Sequence, residues 1–199
     1  MLGEGMDDLV NNPNVDWVES DVSFGDRTML IADGHSLPFR DGFFDAVICQ
    51  AVLEHVLDPH RVVSEIHRVL KDDGLVYAET AFMAQVHGGK YDFTRFTHLG
   101  HRRLFRHFEE IESGACCGPG TALAWSWRYF LLSFTSSRAV RGALRIASAL
   151  SAFPLKYFDE FLVDKPSALD GAMGLFFLGR KSDEVLSDRQ LLGSYRSRG

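Results

Sequence analysis

Cysteine is scarce: three in 199 residues, namely Cys49 and the adjacent pair Cys116 and Cys117. An odd count without a spaced pattern argues for reduced thiols rather than a disulfide framework. Adjacent cysteines also lack the C-x-x-C spacing of a zinc site. Long apolar runs are missing too. The longest, around Ala122 to Phe134, is interrupted by Arg128 and is too short to span a bilayer. The first residues, MLGEGMDDLV, are acidic and contain no apolar core segment, so no signal peptide is expected and the expected compartment is the cytoplasm. Positive charge is not in excess: the formal net charge is -6 with pI near 5.7. A nucleic-acid backbone is therefore not the expected main partner, because phosphate binding needs a positive field. Internal repeats and low-complexity segments are absent. A complete G-x-G-x-x-G and a Tyr-x-x-x-Lys pair are absent as well, which counts against a nicotinamide-dependent reductase.

What is present is the composition of an ordinary globular chain, 46% hydrophobic and 24% charged, enough for one domain with a real core. A single domain is expected over residues 1–182, with a polar, frayed tail over 183–199. Val15-Asp16-Trp17-Val18 alternates after Asn-Pro-Asn and predicts a short strand. Met29–Ala32 and Ala46–Cys49 are continuous apolar runs, which suit strands buried on both faces. Asp58 with Pro59 predicts a helix start, and Val62, Val63, Ile66, Val69 and Leu70 predict its apolar face. Lys71 is expected in its last turn, with Asp73-Gly74 as its stop. Leu75–Ala78 then predicts a strand, completing a right-handed βαβ unit. Further on, Phe108–Ser113 predicts a strand and Ala122–Phe134 and Ala139–Phe153 predict helices. The second helix carries Val140, Ala143, Leu144, Ala147 and Leu150 on one face, and Ala172–Arg180 predicts the last strand.

Both apolar runs end in polar residues, Asp33 and Gln50, and the third strand ends at Glu79. In open parallel sheets, ligands bind beyond the carboxyl ends of the strands. Three strand-end polar groups can therefore line one crevice, with an acid accepting bonds from ribose hydroxyls or an amino group. The plainer reading is that each caps its loop.

The string Ala32-Asp33-Gly34-x-x-Leu37-Pro38-Phe39-x-Asp41-x-x-Phe44-Asp45-x-Val47, with Val52-Leu53-Glu54-His55-Val56-x-Asp58-Pro59 and Glu65-Ile66-His67-Arg68-Val69-Leu70-Lys71-x-x-Gly74, resembles the class I S-adenosylmethionine-dependent methyltransferases. The resemblance is to the branch called the type 11 methyltransferase domain. It runs from about Val15 to Glu79 and more loosely to Phe108. It implies an α/β, Rossmann-like, mostly parallel sheet in the order 3-2-1-4-5-7-6, with a helical insertion at about 120–165 before the last strand. It implies S-adenosylmethionine as cofactor, methyl transfer as the activity and a small-molecule, lipid or sugar-type acceptor. By the same resemblance Asp33 takes the adenine amino group and Gly34 contacts the ring. Asp21 or Glu19 holds the ribose, and Gln50 faces the methionine part.

The family opens with a strand ending in D/E-x-G-x-G-x-G, whose glycines let the backbone approach the cofactor. Here Gly3 and Gly5 look like the tail of that loop, and the strand before it is missing from the sequence. Two expectations follow: the second family strand pairs with the fourth, or the chain is a truncated or mis-started form with impaired activity. The second is favoured. The missing loop also supports an alternative reading, a catalytically inactive methyltransferase-like binding or partner module.

On the acceptor side, Tyr91, Arg95 and His98 in the aromatic and basic segment 91–98 are pocket candidates, set against a reading as core aromatics and solvated arginines. His55 is a candidate acid or base, or a simple cap. These candidates, His55, Tyr91 and His98, stop short of a catalytic assignment. Methyl transfer needs little acid–base help, since the sulfonium is already activated. No metal site is expected: His67, His101 and His107 have no ligand spacing. Trp125, Trp127, Tyr129 and Phe130 beside Arg128 suggest that 122–153 contacts a membrane surface, or else forms core and lid. Oligomeric state is not readable.

Overall fold

The computed structural model describes residues 10–196. Gly3 and Gly5 lie outside the described residues. The elements are β1 (Ser20–Asp21), β2 (Leu30–Ile31), β3 (Phe44–Gln50), α1 (Pro59–Val69), β4 (Leu70–Ala81), α2 (His98–Leu104), β5 (Phe108–Cys117), α3 (Pro119–Leu132), α4 (Arg138–Ala152), α5 (Asp159–Leu162), α6 (Ala168–Gly171), β6 (Gly174–Lys181) and α7 (Asp188–Gly193). Short 3-10 turns cover Gly89–Tyr91 and Phe153–Phe158. The fold is α/β. β1 and β2 form a parallel pair, and the main sheet runs β3-β4-β6-β5, parallel between β3 and β4 and antiparallel from β4 onward. These ladders follow the expected strand series, with two separate sheets where that series puts strand 1. Among the described residues β1 does not pair with β3, so the sheet has not closed up.

The centre is as the apolar pattern demands. β3 supplies Cys49, β4 supplies Val76 and Ala78, and α1 covers them with Val62, Val63 and Ile66. Phe105, Phe108 and Phe177 extend this core toward β5 and β6. Each such side chain contributes roughly 1.5–3 kcal/mol on burial. Asp58 caps α1, its carboxylate accepting from Arg61 N–H at 3.1 Å, and Pro59 opens the helix.

Three expected boundaries move. α1 stops at Val69, not beyond Lys71, because Leu70 is fully buried and pairs with Phe44 as the first residue of β4. The next pair is Ala46 with Leu75, so Lys71–Gly74 bulge out between them. A Cβ on Gly74 would meet the Leu70 side chain and the Lys71 carbonyl oxygen at 2.9 Å, so the bulge needs glycine. Lys71 reaches Asp45 at 2.6 Å instead of capping a helix. The strand expected at Val15–Val18 lies at Ser20–Asp21, because Val15 N–H turns back to the Asn12 carbonyl and the ladder to β2 begins at the Glu19 carbonyl. The tail is not frayed over 183–196. Ser187 and Gln190 form a capping box for α7, Leu191 is buried, and Arg106 donates to the Leu186 carbonyl at 2.8 Å.

Residues 119–171 are mainly helical between β5 and β6. Asp159 fixes the start of α3 by accepting from the N–H groups of Gly120 (2.7 Å) and Thr121 (2.9 Å). α4 buries Ser148 and Ala152, so its apolar face points outward, with Val140 47% and Leu150 75% exposed. Among the described residues no helix is long and apolar enough to cross a membrane.

Candidate functional site

Asp33 stands just beyond β2, its carboxylate 65% exposed. Its Oδ1 accepts from the His35 backbone N–H (2.9 Å) and from His35 Nδ1 (2.6 Å). The other face of that imidazole accepts from the Asp58 N–H, at 3.1 Å to Nε2. The ring therefore carries its proton on Nδ1 and ties Asp33 to the N-cap of α1. The two bonds from His35 hold the Asp33 carboxyl below the usual carboxylate range. Oδ2 has no bond to the described residues. Arg68 strengthens the same frame by donating to the carbonyls of Leu37 (3.0 Å) and Phe39 (2.8 Å) and pairing with Asp41 and Glu65. The loop after β2 is thus fastened to the helix that packs on β3 and β4.

At the end of β1, Asp21 is exposed and its Oδ1 accepts from the Ser23 N–H and hydroxyl. Glu19 instead pairs with Arg27 at 3.2 Å, and its backbone carbonyl is taken by β2. Gln50 closes β3 opposite Glu79 of β4. Ala51 follows with φ 50°, a left-handed conformation for a residue with a side chain, and its N–H bonds the Glu79 carbonyl at 3.1 Å. Such conformations cost about 1–3 kcal/mol and cluster at functional turns. Glu79 accepts from the Tyr77 hydroxyl at 2.5 Å. Cys49 is buried inside the strand, and burial pushes its thiol up to about 12, so it is no nucleophile.

The loop after β3 buries Leu53 and Glu54 and half-buries His55. Facing it is the segment after β4. His55 Nδ1 lies 2.8 Å from the Tyr91 carbonyl and His55 Nε2 3.1 Å from His87 Nε2. Asp92, its side chain 1% exposed, accepts from the N–H groups of His87 (2.8 Å) and Gly88 (3.2 Å) and pairs with Arg95. The Arg95 guanidinium holds the Asp92 carboxyl well below the carboxylate range. Arg95 also donates to the carbonyls of Ala84 and Gln85. A cavity of about 610 Å³ opens here, lined by Phe82, Gln85, Asp92, Arg95 and Tyr129 among others.

Of the acceptor-side candidates, His55 meets the backbone carbonyl of Tyr91, a residue 58% exposed, and Arg95 lies in the same segment after β4. His98 is elsewhere. It is buried on α2, where the nearby charges are Arg196, Glu110 and Asp170, and burial lowers its affinity for a proton. His35 and His87 were not legible as site residues, since Asp58 and His55, their distant partners, lie 23 and 32 positions away; Asp92 has only near neighbours as partners, and no motif marked it. A second hollow, about 470 Å³, lies between α1, α2 and the start of β5 and shares no residue with the strand ends.

Residues 10–78 match the family model of the methyltransferase domain. That match is confined to this part of the chain, and over it the resemblance to class I methyltransferases is borne out. A 54-residue stretch is 37% identical to the ubiquinone biosynthesis O-methyltransferase of Glaesserella parasuis, covering 24% of this chain and 23% of that protein. A 50-residue stretch is 40% identical to the malonyl-(acyl-carrier protein) O-methyltransferase of Geobacter sulfurreducens, covering 25% and 19%. The chain thus spans about a fifth of the length of these relatives. Among solved structures, the Burkholderia thailandensis 1,6-didemethyltoxoflavin-N1-methyltransferase is 14% identical, with a TM-score of 0.47 over 82% of this chain and 60% of that one.

Proposed function

We propose that this chain is an S-adenosylmethionine-dependent methyltransferase acting on a small-molecule, lipid or sugar-type acceptor. The observation that carries the reading is the row of polar groups at the ends of consecutive strands: Asp21 at the end of β1, Asp33 after β2 and Gln50 at the end of β3. The residues fit the nucleoside end of the cofactor. Asp33 keeps one carboxylate oxygen unbonded while His35 fixes its direction, which suits an amino-group acceptor. A Cβ on Gly34 would make only ordinary contact with Val62, at 3.4 Å, so packing does not demand glycine there and a ligand face is the better account. Of the two ribose candidates we take Asp21, since Glu19 is paired with Arg27.

When bound, S-adenosylmethionine supplies a methyl group already activated on a sulfonium. The chain then needs to hold an acceptor in line and keep water out. The cavity beside Asp92 and Arg95 is of the size that small-molecule sites occupy, and the two relatives carry the names of O-methyltransferases. Residues 122–153 add a membrane-surface contact to this reading. Trp127 and Phe130 on α3 and Phe134 just after it are exposed, and from 118 to 158 there are five cations (Arg128, Arg138, Arg141, Arg145, Lys156) and no acid.

The test is calorimetric titration of the chain with S-adenosylhomocysteine. Binding weakened about tenfold or more by Asp33→Ala supports the reading, since a hydrogen bond accepted by a carboxylate contributes about 1.5–3 kcal/mol. No binding by the folded chain would sink it and leave the inactive binding module.

A further inference from the structure

His55 and His87 face each other in an arrangement that neutral imidazoles do not adopt unaided. Each Nδ1 points at a backbone carbonyl, His55 at Tyr91 (2.8 Å) and His87 at Gln85 (3.1 Å). A carbonyl only accepts, so both Nδ1 atoms carry the proton. Both Nε2 atoms then present lone pairs, and these lie 3.1 Å apart. Either a metal ion between them or a proton shared by the two rings relieves this opposition. Glu54 completes the set: the residue is 2% exposed, its Oε2 has no hydrogen-bond partner among the described residues, and a carboxylate oxygen lies within 4.8 Å of a ring nitrogen of each histidine.

We propose that Glu54, His55 and His87 form a binding site for a divalent first-row transition metal of the Zn²⁺ type. Metal–nitrogen bonds of about 2.0–2.1 Å put two tetrahedral ligands roughly 3.4 Å apart, close to the spacing seen here. Two imidazoles and one carboxylate suit such ions better than Mg²⁺ or Ca²⁺, which take oxygen sets. An outer partner on each Nδ1–H is the usual device for aiming Nε2 at a metal. Here the partners are backbone carbonyls, and Asp92 pins the His87 loop from behind. Gly88 lets that loop close, since a Cβ there would meet the His55 ring at 2.5 Å. Three protein ligands leave at least one coordination position for another group. The ion would clamp the loop after β3 to the loop after β4. This site does not depend on the methyl-transfer reading, and its readouts below do not use activity.

The experiment strips the full chain with a chelator, then titrates Zn²⁺ against a chromophoric competitor and records Co²⁺ absorption. One equivalent should bind, with visible ligand-field bands for Co²⁺ and a rise in Tm on Zn²⁺ saturation. His87→Asn, which keeps an N–H for the Gln85 carbonyl, and His55→Ala should each weaken binding at least about 100-fold, because losing an outer partner alone costs about 10–100-fold. The double variant His67→Ala/His107→Ala removes another close pair of rings, 5.8 Å apart, and should bind like the parent. Folding of each variant is checked by circular dichroism. No metal bound by the folded parent, or undiminished binding by folded His87→Asn, would overturn the proposal and leave a proton-bridged histidine pair.

Discussion

His101 should make the fold sensitive to mild acid. The residue sits on α2, 3% exposed, with its ring against those of Phe105 (5.2 Å), Phe96 (6.3 Å) and Phe177 (6.4 Å). Its Nε2 has no hydrogen-bond partner among the described residues. Burial pushes its pKa down to about 3, helped by His98 one turn earlier on the same helix, with Arg102 and Glu110 paired nearby. The sign follows from linkage. Between about 3 and 6.5 the unfolded chain binds a proton that the folded chain does not, so stability is complete above the unfolded value and falls as pH drops through that window. From pH 7 to pH 5 the loss is about 2 kcal/mol, with one pH unit worth at most about 1.36 kcal/mol. This is a sizeable share of a total of about 5–15 kcal/mol. The depressed carboxylates, Asp33, Glu65 and Asp92, are ionised in both states through most of this range and contribute little. Urea unfolding at pH 7 and pH 5 of the parent and of His101→Phe, which keeps an aromatic ring in the cluster, measures the term. The variant should lose about 2 kcal/mol less than the parent. Equal losses would refute the reasoning, and His98 or His67 would then carry the sensitivity.

Ala51→Gly should stabilise the chain by about 0.5–1 kcal/mol, because relief of the left-handed strain exceeds glycine's entropic cost; a lower urea midpoint would contradict the strain assignment. Arg102→Met should cost about 3 kcal/mol in the same assay, the lower end for breaking a buried pair. The guanidinium donates to the carbonyls of Phe105 and Phe108 and pairs with Glu110 at 2.8 Å, but Glu110 retains Arg196. The chain should co-sediment with vesicles containing anionic lipid and not with neutral ones. Arg138→Glu/Arg145→Glu should abolish this, since each basic side chain near such a surface contributes about 1 kcal/mol; binding that survives the charge reversal would remove the membrane contact.

The parts of the fold that the sequence declares are those where local pattern and burial agree. β3 and the Leu75–Ala78 stretch of β4 are apolar runs with no competing reading, and Asp58-Pro59 announces α1 because capping is a matter of neighbouring residues. The misplaced boundaries share one cause. Lys71-Asp72-Asp73-Gly74 carries every local mark of a helix stop, yet Leu70 is already a strand residue because Phe44, 26 positions earlier, is its ladder partner. Val15–Val18 alternates as a strand should, yet β2 offers partners only from Glu19 onward. Pairing energy over long loops decides such cases, and no window of the sequence contains it.

The site divides the same way. Asp33 and Gln50 are visible as candidates because a polar residue ending an apolar run is a local event, whereas Asp21 came only with the family resemblance. The pairing of Glu19 with Arg27, which separates it from Asp21, is not visible, since it turns on where Arg27 lies in space. His35 is two positions from Asp33, but its meaning comes from the N–H of Asp58 on the other side of its ring. His87 has no neighbour in the sequence that suggests a ligand. Its role is set by two backbone carbonyls and by a glutamate 33 positions away, and backbone carbonyls leave no trace in a side-chain pattern. A site assembled by backbone groups is therefore the kind that spacing rules pass over. The histidines judged by spacing alone, His67, His101 and His107, gave no hint of the pair that structure brings face to face.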